Sequence, residues 1–112
     1  LKGQHPMTEQ YSAFRAEVPR ADDARTSLNV DLLARLAIGA DTLLVAGEAS
    51  SHCVAASVDD MLSTLPSTRL QNTVLLLDCM SPVSGYEGVA QACISNGKAH
   101  GLKAMAIGDL PV

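Results

Sequence analysis

From residue 26 onward the apolar residues alternate between a helical period and short unbroken runs, and this alternation restricts the folds open to the chain. Leu28, Leu32, Leu33 and Leu36 recur at helical spacing and stop before Gly39. Thr42-Leu-Leu-Val-Ala46, set between Asp41 and Gly47, has the pattern of a buried strand. Val54, Val58, Met61, Leu62 and Leu65 return to helical spacing, and Pro66 closes that helix. Thr73-Val-Leu-Leu-Leu-Asp78 reads as a second buried strand that ends in a carboxylate. Tyr86, Val89, Cys93 and Ile94 mark a third helix over roughly residues 86–99, with Gly101 as its terminator. Lys103-Ala-Met-Ala-Ile107 is the third strand. The order α-β-α-β-α-β predicts an α/β fold with a parallel sheet and right-handed crossovers.

Composition agrees with that reading. The 112 residues are one domain's worth of chain at most, and 47% are hydrophobic. Aromatics are scarce, with two Tyr, one Phe and no Trp, so Leu, Val, Ala and Ile must build the core. Such a core suits a parallel sheet flanked by helices. The net charge is −4, all of it carried by residues 37–112, which argues against general nucleic-acid binding. No apolar run reaches the length of a bilayer span, and no basic amphipathic stretch points to a membrane surface. Cys53, Cys79 and Cys93 show neither metal nor disulfide-framework spacing, so reduced thiols in a cytoplasmic protein are expected.

Residues 1–25 break the rhythm, and His5-Pro6, Val18-Pro19 and Asp22-Asp23 predict a long irregular segment crossing the surface. In open α/β sheets the ligand crevice lies at the carboxyl ends of the strands. Three segments reach that edge: Gly47–Cys53, Asp78–Gly85 and Gly108–Val112. The first, Gly47-Glu-Ala-Ser-Ser-His-Cys53-Val, sets a cysteine after a strand-ending turn and at the start of a helix. The helix dipole and unpaired N–H groups there favour a thiolate and an oxyanion. Strand, turn, Cys and helix suggest a nucleophile without being specific to one, since an ordinary buried cysteine that opens a helix has the same pattern.

This segment resembles the nucleophile loop of the isochorismatase-like cysteine hydrolases, the family that includes nicotinamidases. Lys2-Gly3, followed by Tyr11-Ser12-Ala13-Phe14, is similar to that family's lysine segment, and the later Leu-rich strand with Asp78-Cys79-Met80-Ser81 also fits. The resemblance implies a Cys nucleophile at Cys53 and a triad lysine at Lys2. It also implies a cis peptide between Glu48 and Ala49 that aims the N–H groups of Ala49 and Cys53 at an oxyanion. The implied reaction is hydrolysis of a small amide through an acyl-enzyme. Isochorismatase-type vinyl-ether hydrolysis is the alternative within enzymes, and a silent binding or assembly module is the rival from another class.

The family's triad aspartate and its zinc ligands lie on strands ahead of the lysine segment, and no segment here matches them. The chain is therefore expected to be the second half of a three-layer, six-stranded domain, with about three parallel strands and residues 1–112 as a partial domain. It is expected to need the missing half or another subunit as partner, to form a homo-oligomer and to carry no cofactor of its own. His52, Tyr11 and Phe14 are candidate contacts for a small-molecule substrate, with His52 either lining the pocket or facing solvent. Glu9 and Tyr11 in the irregular segment could meet a substrate or a neighbouring subunit. Asp78 reads as a turn cap ahead of a general base. His5, His52 and His100 lack ligand spacing, so no zinc site is expected within the chain. Cys79 is expected to be partly exposed and Cys93 to lie in the core.

Overall fold

In the computed structural model, which describes residues 2–39 and 41–110, the expected alternation is present. Helix α1 spans Val30–Ile38, β1 Leu43–Val45, α2 Cys53–Thr64, α3 Ser67–Gln71, β2 Thr73–Leu76, α4 Glu87–Ala99 and β3 Lys103–Met105. The strands form one parallel sheet in the order β1-β2-β3, with Leu44 opposite Val74 and Val74 opposite Lys103. Asn29 starts α1 by accepting the Leu32 N–H on its side-chain oxygen at 3.0 Å. Past the end of α4, Gly101 takes a φ of +99°, which lets the chain turn back into β3.

Both crossovers step the same way across the sheet, and right-handedness therefore places α2 and α4 on one face, where they touch. That face holds the core. Leu75 is 1% exposed and Val58 0%, and they cluster with Leu33, Val54, Met61, Leu65, Leu70, Leu102 and Phe14. The register sends Leu44, Val74, Leu76, Lys103 and Met105 to the opposite face. On that face Leu110 lies beside Leu44, Val74, Lys103 and Met105, and Val74 and Leu76 are buried there.

Several details depart from the sequence reading. The first strand is shorter than 42–46 and is not buried, since Leu44 is 46% exposed. β1 stands at an edge with β2 on one side only, so its apolar run has half the cover its composition anticipates. The second strand ends at Leu76, and Leu77–Cys79 coils into a 3-10 turn that contains Asp78. Pro66 follows the end of α2 as expected, yet it also caps α3, a short helix the periodicity does not signal. Cys93 is half-buried at the border of the core, because α4 turns only part of its circumference to the sheet.

Residues 2–29 are irregular apart from a 3-10 turn over Ala24–Thr26, and side-chain hydrogen bonds hold them in place. Ser12 Oγ donates to Asp60 Oδ2 at 2.5 Å, and Arg15 Nη2 lies 2.9 Å from Asp60 Oδ1. Asp60 is 4% exposed, so these partners satisfy a charge that burial would otherwise penalise. No helix of the described residues is long and apolar enough to cross a membrane.

Candidate active site

β1 delivers the chain to Gly47, whose φ of +124° is a conformation that side chains rarely adopt. The Glu48–Ala49 peptide that follows is cis. The loop is then fastened to the segment after β2 through Gly47, Glu48, Ser50 and Ser51. Gly47 N–H donates to the Cys79 carbonyl at 3.0 Å, and Ser50 N–H to the Ser81 carbonyl at 2.9 Å. Ser81 returns its hydroxyl to the Glu48 carboxylate at 2.9 Å and its N–H at 3.2 Å. Val83 N–H reaches Ser51 Oγ at 2.9 Å. Glu48 thus works as a clamp that ties the turn to Ser81.

The loop ends at Cys53, the first residue of α2. Ala49 C=O accepts two N–H groups, from His52 and Val54, each at 3.0 Å. The N–H groups of Ala49 and Cys53 make no hydrogen bond among the described residues. They stay available at a helix start, where the dipole favours negative charge. Across the site Lys2 Nζ donates to Cys53 Sγ at 3.5 Å, joining residues 51 positions apart. Lys2 and Cys53 share the wall of a cavity of about 350 Å³ with Tyr11 and Phe14. The cavity continues along the open side of β1, beside Leu36, Leu43 and Val45. It is polar where the thiol stands and apolar beyond.

Of the expected substrate contacts, Tyr11 is 40% exposed and lines the cavity. Phe14 is 4% exposed, so it belongs to the core at the border of the cavity. His52 stands behind Tyr11, in an edge contact at 6.0 Å, and meets Tyr86 on its other side at 4.9 Å. Its Nδ1 lies 2.8 Å from Ser51 Oγ, which fixes the ring plane. Tyr86 is the one member of this row the sequence reading did not select. Tyr86 meets His52, the residue before Cys53, whereas Tyr11 and Phe14 line the cavity itself.

The remaining candidates serve elsewhere. Asp78 Oδ1 accepts the Ile107 N–H at 2.8 Å and so ties the turn after β2 to the turn after β3, in place of the cap on its own turn that the sequence predicts. Cys79 lies 3.7 Å from the same oxygen, and desolvation together with the Asp78 charge pushes its thiol up. Desolvation by burial, with a smaller push from Asp59, also raises Cys93. Both therefore hold their protons more tightly than an ordinary thiol. His5 faces Asp22 at 3.6 Å, and His100 Nδ1 bonds to the Asn96 carbonyl at 2.8 Å. Among the described residues, no group of three or more His, Cys, Asp or Glu is placed to hold a metal ion.

A parallel sheet with helices packed on it is the framework this chain shares with a solved structure. The fold is similar to that of the yeast nicotinamidase Pnc1p, with a TM-score of 0.57 and 24% identity over 88% of this chain and 40% of that one. The chain therefore spans two fifths of that enzyme's length. No protein-family model and no curated protein sequence matches the chain.

Proposed function

We propose that the chain supplies the nucleophilic half of a cysteine hydrolase that acts on a small amide. The observation that carries this reading is the 3.5 Å contact between Lys2 Nζ and Cys53 Sγ at the start of α2. The likeness to Pnc1p, named for nicotinamide hydrolysis, is consistent with it. In this reading the Cys53 sulfur attacks the amide carbonyl carbon and forms a C–S bond. The carbonyl oxygen becomes an oxyanion facing the free N–H groups of Ala49 and Cys53. The thiol proton passes to the leaving nitrogen as the C–N bond breaks, and the amine departs. Water then cleaves the thioester, giving a carboxylic acid and restoring the thiol.

Lys2 attracts the sulfur anion but is a poor carrier of that proton. We assign the carrier to a carboxylate outside this chain, brought by a further segment or subunit that lies along the open side of β1. Losing such an acid–base group typically costs about 10²–10⁴-fold in rate. Tyr11, with His52 and Tyr86 behind it, would meet the body of the substrate. No zinc is assigned to this chain.

Limiting iodoacetamide near neutral pH, read by peptide mass, tests the assignment. Cys53 should be alkylated well ahead of Cys79 and Cys93, whose protons are held more tightly. Incubation with an activated amide should also leave an acyl group on Cys53. First labelling at Cys93 would refute the nucleophile.

A further inference from the structure

We propose that Gln10 is a positioning residue that sets the Lys2–Cys53 contact; the proposal rests on the reading of that pair given above. Lys2 belongs to a segment with no helix or strand to hold it, and it is exposed. A long, flexible side chain at such a place keeps one partner only if its backbone is held. The structure contains a device that holds it.

The device starts on α2 itself. Ser57 stands one turn beyond Cys53, donating its hydroxyl to the Cys53 carbonyl at 2.8 Å and accepting the Ala13 N–H at 2.8 Å. Asp60, two turns beyond Cys53, takes the Ser12 hydroxyl and the Arg15 guanidinium. Residues 12–15 are thereby fixed to the helix that carries the thiol. Gln10 extends the fixation. Its Nε2 donates to the Ser12 carbonyl at 3.0 Å, while its Oε1 accepts the Gly3 N–H at 3.2 Å. One amide side chain thus joins the residue next to Lys2 to the residue anchored on Asp60. Followed onward, the ties run from Cys53 through Ser57 to Ala13, whose neighbour Ser12 is held by Asp60, then from the Ser12 carbonyl through Gln10 to Gly3 and Lys2, and return to the Cys53 sulfur.

Gln10 suits this place because a primary amide both donates and accepts. A carboxylate could take the Gly3 N–H but could not donate to Ser12. Other ties hold residues further along the segment, with Glu17 N–H on the Glu9 carbonyl, Thr8 Oγ1 on the Val18 carbonyl and His5 Nε2 3.6 Å from Asp22, and among the described residues the Gly3 N–H has Gln10 as its partner.

The experiment is the pH–rate profile of Cys53 alkylation by iodoacetamide in the full chain, followed by peptide mass. It compares wild type, Lys2→Met, Gln10→Met and the double variant. The contact is exposed, so its effect is modest: Lys2→Met should slow alkylation at neutral pH about threefold and move the profile to higher pH. Gln10→Met should move it the same way by a similar factor, with the thermal midpoint unchanged. The double variant should equal Lys2→Met alone, because Gln10 acts through the lysine. A Gln10→Met profile identical to wild type, or an effect that persists once Lys2 is gone, would overturn this proposal and leave the Lys2–Cys53 pair standing. A Lys2→Met profile identical to wild type would instead remove the pair, and the role of Gln10 with it.

Discussion

Strands β1 and β2 are written in nearly the same residues, Leu43-Leu44-Val45 and Thr73-Val74-Leu75-Leu76, yet they live in different surroundings. All four residues of β2 are buried, whereas those of β1 are half-buried or exposed. The difference comes from position. β2 has a hydrogen-bonded neighbour on each side and lies beneath the contact of α2 with α4. β1 has a neighbour on one side, and its other side borders the cavity that holds Lys2 and Cys53. Leu43 and Gly47 direct their N–H groups at the β2 side, so the N–H and C=O of Leu44 point away from β2, where no strand of the described residues meets them. The apolar run of β1 is therefore a strand composed for the interior but placed at an edge. An accessible surface of 6655 Å², against about 5,900 Å² for a compact monomer of this mass, fits the same picture.

The largest expected effect separates the two strands directly. Leu75→Ala removes a side chain that is 1% exposed at the centre of the core and should cost about 2–5 kcal/mol. Leu44→Ala trims a residue that is 46% exposed and should cost less than about 1 kcal/mol. Urea unfolding of both variants measures this. Equal costs would mean that the Leu44 face is covered in solution, and the contrast between the strands would vanish.

A smaller effect concerns what the edge does. An apolar edge without Pro or charge invites pairing with another chain, and the segment 42–46 has neither. We expect association that grows with concentration. Leu44→Lys, which puts a charge on the strand's open face, should weaken it while leaving the unfolding midpoint nearly unchanged. Sedimentation velocity at several concentrations reads both species. A wild-type chain that stays monomeric throughout would show that β1 is protected by means its composition does not reveal.

The order of elements was legible because burial against one face imposes a period on each of them. Leu28, Leu32, Leu33 and Leu36 can be placed on a helix without knowing what they touch. The depth of burial was not legible in the same way. Leu44 and Val74 look alike in sequence and differ only in how many strands flank them, which is a property of the sheet. The site divides along the same line. Cys53 at a helix start follows from local pattern, and Lys2 was reached through resemblance, because no local rule links residues 51 apart. Gln10 and Asp60 carry no sequence signal, and Tyr86 signals only a helix, because their importance lies in partners that the fold brings to them. Asp78 is expected to cap the turn that follows it, but its carboxylate takes the Ile107 N–H, a partner 29 positions away that only the sheet brings near.

The smallest effect uses two glycines of α4 to sharpen the contrast between covered and open parts of the molecule. Gly97 faces β2: an added Cβ would lie 2.9 Å from Leu102 Cδ1 and 3.6 Å from Leu75 Cδ1. Gly88, in the first turn, has nothing within 4 Å of such a carbon. In either place alanine gains helix propensity, up to about 1 kcal/mol and less near the helix ends. At Gly88 no opposing force exists, so Gly88→Ala should stabilise by a few tenths to about 1 kcal/mol. At Gly97 the gain meets overpacking, which typically costs about 1–3 kcal/mol in a filled core. The atom in the way is the tip of a leucine side chain, which can rotate, so the cost belongs at the low end of that range. Gly97→Ala should therefore be neutral or destabilising by less than about 1 kcal/mol. The sign of the difference between the two variants is the reading to watch, measured as the shift in urea midpoint at constant slope. If Gly97→Ala stabilises as much as Gly88→Ala, then Leu102 has room to move, and the cover over β2 is looser than its complete burial implies.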